Sequence, residues 1–277
     1  MKISFKTGVQ SGPIDDIIAV WRRADAIDRF AGGWVNDHLY NPSFPNGADD
    51  SSAFEAFTLL GALARETSRL RLGTLVVGNL FRHPALVARQ AMTLDHLSGG
   101  RFELGLGAGW HAREHADHGI DLPPPGRRID AFEEALEIVI SLLHLGEVTA
   151  LGEHYRVDGA LLEPRPTAHI PVLIGGNGER RTLRAAAKYA DHWNFGSPEP
   201  ADVLAHKVDV LRRHCTDLGR DVAEIEISAQ VFVRGEVGDL ADRARLLERA
   251  GAQHLIVALV EPDVDLLERV AAETATL

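Results

Sequence analysis

Short apolar runs alternate with longer amphipathic segments from one end of the chain to the other. The short runs, rich in Val, Ile, Leu and Phe, predict strands over residues 3–9, 33–37, 70–77, 101–106, 172–175, 192–195, 225–233 and 254–260. The segments between them carry apolar residues at helical spacing. They predict helices over 14–30, 52–67, 84–97, 127–145, 179–190, 201–218, 239–250 and 263–274. Strict strand–helix alternation implies a parallel sheet, because each crossover returns the chain to start its next strand in the same direction. Eight such pairs close a (β/α)8 TIM barrel, so the expected fold is α/β in a single domain over residues 1–277. A doubly wound open sheet is the alternative reading of the same pattern.

Two connections are long. Residues 108–126 form an extended loop after the fourth strand and hold Pro123, Pro124 and Pro125. This loop belongs to the C-terminal face, where barrels keep their active sites. Residues 146–170 form a small insertion before the fifth strand, with β-like pieces around 148–151 and 155–157. They predict a hairpin that covers the barrel bottom.

Composition narrows the function classes. A chain that is 45% hydrophobic and 25% charged has the material for a large soluble core. A formal net charge of -11 argues against a nucleic-acid partner held through phosphate contacts. A local basic site can still bind a small anion inside an acidic protein. Cys215 stands alone, so no intramolecular disulfide can form and a reducing cytoplasm is expected. No apolar run reaches the length of a signal peptide or a membrane span, so no membrane partner is expected.

The sharpest chemical signal follows the fifth strand. An apolar run ending at Ile174 meets Gly175, Gly176, Asn177 and Gly178, then a helix pattern with Arg180, Arg181 and Arg184 in its first turns. Glycines let backbone N–H groups converge on an anion, and a helix N-terminus adds its positive dipole end. The loop therefore suits a phosphate, while the arginines also fit a solvated helix face. Asp37 and His38 close the second strand, at a barrel mouth. There His can give or take a proton, and Asp can orient it or contact a ligand. The same pair also fits a turn-capping Asp beside a packed His. Leu75-Val-Val-Gly-Asn79 ends the third strand, and Gly78 there implies a close approach. Gly105-Leu-Gly-Ala-Gly-Trp110 ends the fourth. Its small residues suit a flat ring or tight packing, and Trp110 replaces the third glycine of a dinucleotide fingerprint. His111-Ala-Arg-Glu-His115, with His118, has the inverted zinc-peptidase spacing. It runs quickly into Gly119 and the prolines, so a solvated polar loop is expected and no metal ligand is assigned.

In combination these motifs resemble a known family. The pieces are Trp34-Val-Asn-Asp37-His38, Asn79-Leu-Phe-Arg-His-Pro84, the run from Leu94 through Arg101 to Trp110, the helix start from Arg128 to Glu134, residues 173–183, and Ala190-Asp-His-Trp-Asn194. They resemble the luciferase-like monooxygenase superfamily, specifically its branch that uses the deazaflavin coenzyme F420. The resemblance implies a cofactor ring at the C-terminal mouth, near Asp37, His38, Val76, Val77, Gly78, Asn79, Ala108 and Gly109. It implies a non-proline cis peptide among residues 75–78, supporting the ring from behind. It implies cofactor phosphate binding by Gly175, Gly176 and Asn177, with Arg180 or Arg181 nearby. His38 would be the proton donor or acceptor, with Asp37 as a partner of the ring or of His38. Sugar-phosphate dehydrogenases in this branch place a Glu acid where this chain has Trp110, and the aromatic after their Asp-His pair is not evident near Pro42. An apolar mouth with Trp110, Phe81 and Tyr40 as substrate contacts, joined by Leu39 and Phe44, is expected instead. The implied reaction is hydride transfer between F420 and a small organic substrate. An FMN-dependent monooxygenase is the alternative enzyme, and a non-catalytic flavin- or deazaflavin-binding protein the alternative of another class. The resemblance also implies a homodimer.

Overall fold

The computed structural model describes residues 1–8, 12–40, 53–196 and 200–277. The predicted strand end at Val9, the predicted helix start at Ser52, and the mouth residues Pro42 and Phe44 lie outside these residues. The barrel strands are, in order, Lys2–Thr7, Phe30–Val35, Arg71–Thr74, Phe102–Gly107, Val172–Gly175, His192–Phe195, Glu226–Val233 and His254–Leu259. Each pairs in parallel with the next, and the eighth pairs with the first through Lys2 to Thr7 against His254 to Leu259. The sheet therefore closes as the eightfold alternation predicts. The third strand is interrupted at Leu75 and Val76 and resumes at Val77–Gly78 against Leu106 and Gly107.

Helices α1 (Ile14–Asp25), α2 (Ala56–Glu66), α3 (Pro84–Ser98), α4 (Ala112–Asp117), α5 (Pro125–Leu145), α6 (Thr182–Tyr189), α7 (Ala201–Leu218), α8 (Leu240–Arg249) and α9 (Val264–Glu273) surround the barrel. α1 ends at Asp25, short of the predicted residue 30. Phe30 belongs instead to the second strand, where its ring meets Phe5 edge-on at 5.6 Å. That strand consequently starts and ends early, and leaves Asp37 and His38 in the loop beyond it. Strand and helices bury a continuous apolar layer between them, including Ile3, Phe5, Val35, Leu72, Phe102 and Leu104. At about 25 cal/mol per Å² of apolar surface, that layer is the main stabilising term.

The barrel interior is different. Its apolar part is a small cluster of Trp34, Leu75, Leu173 and Ile256, with Val76 against it. Below it, toward the strand starts, lie the buried polar residues Ser4, Glu103, His192, Ser228 and His254. Alternation along the strands placed these side chains inward, opposite the apolar ones that face the helices.

Three expectations are corrected. Residues 111–118 are not a solvated loop: α4 forms there, with His111 Nδ1 capping the Glu114 N–H at 3.2 Å and Glu114 and His115 buried. The insertion is a hairpin, Glu147–Leu151 with Arg156–Leu161, and its hydrogen bonds run to α3, α5 and the mouth end of the third strand rather than to the barrel bottom. Glu134 of α5 accepts the N–H groups of Glu153, His154 and Tyr155, and the Tyr155 hydroxyl reaches Asn79 at the mouth end of the third strand. Finally, α6 starts at Thr182, so Arg180 and Arg181 precede the helix rather than standing in its first turn.

Candidate active site

His38 sits at the barrel mouth beside α4. Its Nδ1 lies 2.9 and 3.1 Å from the two carboxylate oxygens of Glu114. Glu114 Oε1 also accepts the Leu39 and Tyr40 N–H groups at 2.6 and 2.9 Å. Burial alone would raise this carboxyl, but the His38 bond and the two N–H bonds outweigh it and hold it below its ordinary value. A carboxylate at Nδ1 fixes the tautomer, so neutral His38 keeps Nε2 as an acceptor. When His38 is protonated, the same atom becomes a donor. The arrangement has the geometry of a base and its orienting carboxylate.

Asp37 has another task than the expected one. It is 4% exposed, and both its oxygens take the Arg82 guanidinium, at 2.6 and 2.9 Å. Oδ2 also accepts the Gly78 N–H at 3.0 Å. Arg82 continues to Glu55 at 2.6 Å and lies 5.0 Å over the Phe57 ring. Asp37 thus ties the end of the second strand to the resumed third strand, and His38 takes its partner from α4.

The third-strand interruption carries the non-proline cis peptide at Leu75-Val76, inside the expected segment. Val76 packs against the interior cluster, and the lack of a Cβ at Gly107 and Gly175 leaves it room, as Gly105 does for the Thr74 carbonyl. A Cβ on Gly107 would stand 2.6 Å from Val76 Cγ2, one on Gly175 2.9 Å from Val76 Cγ1, and one on Gly105 2.0 Å from the Thr74 carbonyl. The close approach at Gly78 is the Phe81 ring, 2.8 Å from where its Cβ would be. Val77 packs outward in the core, and Asn79 is buried with its amide on Tyr155. Phe81 in turn stands 5.0 Å from the His115 ring. Trp110 is 55% exposed and meets His38 edge-on at 5.7 Å, so it forms an open apolar wall of the mouth. Tyr40 leans onto α4, 5.1 Å from His118 and under Arg113.

The glycine loop opens onto a cleft of about 410 Å³. Ala108 and Gly109 from the fourth-strand end line one side, Gly178 to Thr182 the other, and Arg128 and Ile129 of α5 the floor. Two predicted groups far apart in sequence therefore share one cavity. Gly176 has φ 122°, a conformation suited to glycine. The Asn177 Oδ1 is buried and bonds to nothing among the described residues. Arg181 is committed to Asp130 and Glu133 of α5, the latter at 2.6 Å. Arg180 is exposed and forms no ion pair with a described residue, which leaves its charge to the cleft. Arg128 donates to the Gly109 carbonyl at 3.1 Å and fixes the cleft's other wall.

A sequence profile described as luciferase-like monooxygenase matches residues 2–244. The chain belongs to the luciferase-like monooxygenase family. Within this family it is 32% identical over 221 residues to an uncharacterized protein of Mycobacterium tuberculosis strain H37Rv, covering 78% of this chain and 74% of that one. It is 38% identical over 143 residues to the pyrimidine monooxygenase RutA of Allorhizobium ampelinum, covering 51% and 38% of the two chains. Among solved structures, an F420-dependent secondary alcohol dehydrogenase with an F420–acetone adduct superposes with a TM-score of 0.87 at 18% identity, over 99% of this chain and 97% of that one. The long-chain alkane monooxygenase LadA superposes with a TM-score of 0.80 at 16% identity, over 99% and 91%. The luciferase-like barrel is thus shared with both deazaflavin enzymes and monooxygenases.

Glu114, Arg82 and Arg128, which bond to His38, Asp37 and Gly109, were not assigned from sequence. Glu114 lay in the His-rich motif, whose spacing drew attention to the histidines. The other unassigned group is at the barrel bottom, where His192, Glu226 and His254 bring ligand atoms within 4.8 Å of one another. Each imidazole nitrogen there already faces the protein. His192 bonds Glu103 and Ser228 at 2.6 Å each, and His254 Nε2 bonds Ser4 at 2.8 Å. His254 Nδ1 lies 2.7 Å from Glu226, off the line of a hydrogen bond. No helix of the described residues is long and apolar enough to cross a membrane.

Proposed function

We propose that this luciferase-like protein is an F420-dependent oxidoreductase acting on a small organic substrate. The observation that carries the reading is the junction of two halves: a cleft joining Ala108 and Gly109 to Arg180, and the His38–Glu114 pair beside it. A deazaflavin bound along this line would supply or accept a hydride at the mouth. Its phosphate end would meet Gly176, Asn177 and Arg180, where the glycine backbone and a cation that forms no ion pair with a described residue suit an anion. Arg181 would act indirectly, by holding α5 against the loop. His38 would give or take the substrate proton through Nε2 while Glu114 fixes its ring. Trp110 and Phe81 would keep water from the reacting face. The alcohol dehydrogenase with its acetone adduct supports the assignment, because a carbonyl gaining a hydride also needs a proton.

An FMN-dependent monooxygenase is the second reading, favoured by the local identity to RutA. Separate fluorescence titrations of the protein with F420 and FMN distinguish the two. F420 is expected to bind the more tightly, and Arg180→Ala to weaken that binding about tenfold, the scale of one charged hydrogen bond. Tight FMN binding without affinity for F420 would replace the first reading by the second. Homodimerisation and a cytoplasmic location belong to the same proposal.

A further inference from the structure

The chain has four lysines, and three of them sit against a carboxylate: Lys2 on Glu226, Lys188 on Glu137 and Lys207 on Glu179. Lys6 does not. It lies one residue before the end of the first strand, level with Trp34 of the second strand and Ala258 of the eighth. Its Nζ donates to Gln230 Oε1 at 3.1 Å and stands 5.8 Å over the Phe232 ring at the mouth. Among the described residues no acidic group approaches it.

The single bond of Lys6 begins a chain of bonds that all point one way. Gln230 Nε2 donates to Asn194 Oδ1 at 3.0 Å, and Asn194 Nδ2 donates to Ser228 Oγ at 2.7 Å. Ser228 and His192 Nε2 are 2.6 Å apart, and His192 Nδ1 lies 2.6 Å from the Glu103 carboxylate. Glu103 accepts, so His192 carries its proton on Nδ1. Nε2 is then an acceptor, and the Ser228 hydroxyl must donate to it. The amide of Gln230 is thereby oriented from the far end of the barrel, with its oxygen toward Lys6. A buried network with every member satisfied is rigid. Burial pushes the Lys6 ammonium down to about 8, so its placement costs stability. A cation held this way, with two N–H bonds that meet no described residue, can take an anionic oxygen.

We propose that Lys6 is the oxygen-binding residue of the mouth: its ammonium takes the carbonyl or carboxylate oxygen of the substrate, and Gln230 positions it. This rests on the proposed hydride-transfer reading only for the reaction it would assist. His38, in the loop after the neighbouring strand, remains the proposed proton-handling group. The substrate class is then a compound with a polarisable or charged oxygen, rather than a hydrocarbon.

The test has a binding arm and a turnover arm, both on the full-length protein. In the first, limiting trinitrobenzenesulfonate at pH 8 is followed by peptide mapping, with and without sodium acetate and with no cofactor present. Lys6 is expected to react before Lys2, Lys188 and Lys207, and acetate is expected to slow its labelling severalfold. Lys6 labelling no faster than the others, or insensitive to acetate, would overturn the proposal. In the second, Lys6→Met and Lys6→Arg are assayed against ketones and alcohols with whichever cofactor binds. Lys6→Met is expected to lose about 10²-fold in kcat/KM, the scale of removing one oxyanion donor. It should keep the wild-type cofactor Kd and a Tm no lower than wild type. Wild-type kcat/KM should fall above pH 8 as the ammonium deprotonates, and Lys6→Arg should remove that limb. Retention of kcat/KM within twofold by Lys6→Met would overturn the proposal. A protein that passes the labelling arm but turns over no F420 substrate would sink the hydride-transfer reading and leave the oxygen site standing.

Discussion

His38 Nδ1 lies 2.9 Å from Glu114 Oε2, a carboxylate 76 residues further along the chain and only 1% exposed. Replacing Glu114 with Gln keeps an oxygen for the Leu39 and Tyr40 N–H groups but removes the charge that orients and supports His38. Turnover is expected to fall about 10²-fold, at the low end of a general acid–base contribution, with the cofactor Kd unchanged. Paired measurements of kcat and Kd check this, and an unchanged kcat would remove Glu114 from the proton path.

Asp37 should behave differently, because its oxygens face Arg82 and Gly78. Asp37→Ala leaves the mostly buried Arg82 guanidinium with Glu55 alone. Breaking a buried pair from one side costs about 3–5 kcal/mol. Denaturant unfolding is therefore expected to show a large loss of stability, with catalysis in the surviving folded fraction affected less than by Glu114→Gln. Wild-type stability in Asp37→Ala would refute the clamp.

The glycines of the fourth strand make a packing prediction. Gly107→Ala places a methyl 2.6 Å from Val76 Cγ2 and should destabilise the barrel. Val76→Ala in the same chain removes the opposing atom and should recover most of the loss. A double-mutant cycle by thermal unfolding measures that coupling, and additive effects would show that the two residues do not oppose each other.

Much of this was legible in the sequence, and the reasons are physical. Barrel strands alternate with helices at fixed periods, so eight strands and the order of the elements follow from the apolar pattern. The glycine loop after Ile174 was legible as a break between strand and helix, and its end at Gly178 borders the cleft. The role of Asp37 was not legible: an Asp-His pair implies a mutual partnership in sequence, whereas a loop lets the two side chains diverge. Glu114 was hidden because helical spacing within residues 111–118 gives no sign of what a helix faces across space. The polar interior was hidden for a similar reason. Ser228 and Gln230 sit in an apolar run, and which strand face turns inward depends on closure of the sheet.

The barrel bottom predicts a pH dependence of stability. Burial outweighs the nearby Glu226 and lowers His254 from 6.5 to about 4. The unfolded chain then binds a proton that the folded chain refuses, so stability is full above pH 6.5 and is lost as pH falls toward 4. The loss is bounded at about 3 kcal/mol. Tm measured across that window should fall, and His254→Gln should flatten this part of the profile. A wild-type Tm constant between pH 6.5 and 4 would show that His254 titrates normally.

The proposed reaction passes a hydride at this mouth under the control of His38. The most direct measurement is anaerobic turnover: F420 absorbance followed with alcohols and carbonyl compounds, for wild type and for His38→Ala. Substrate-dependent F420 oxidation or reduction without oxygen is predicted for wild type, with at least about 10²-fold loss in a His38→Ala protein that still binds F420. Full turnover by His38→Ala, or turnover only with reduced FMN and oxygen, would contradict the account.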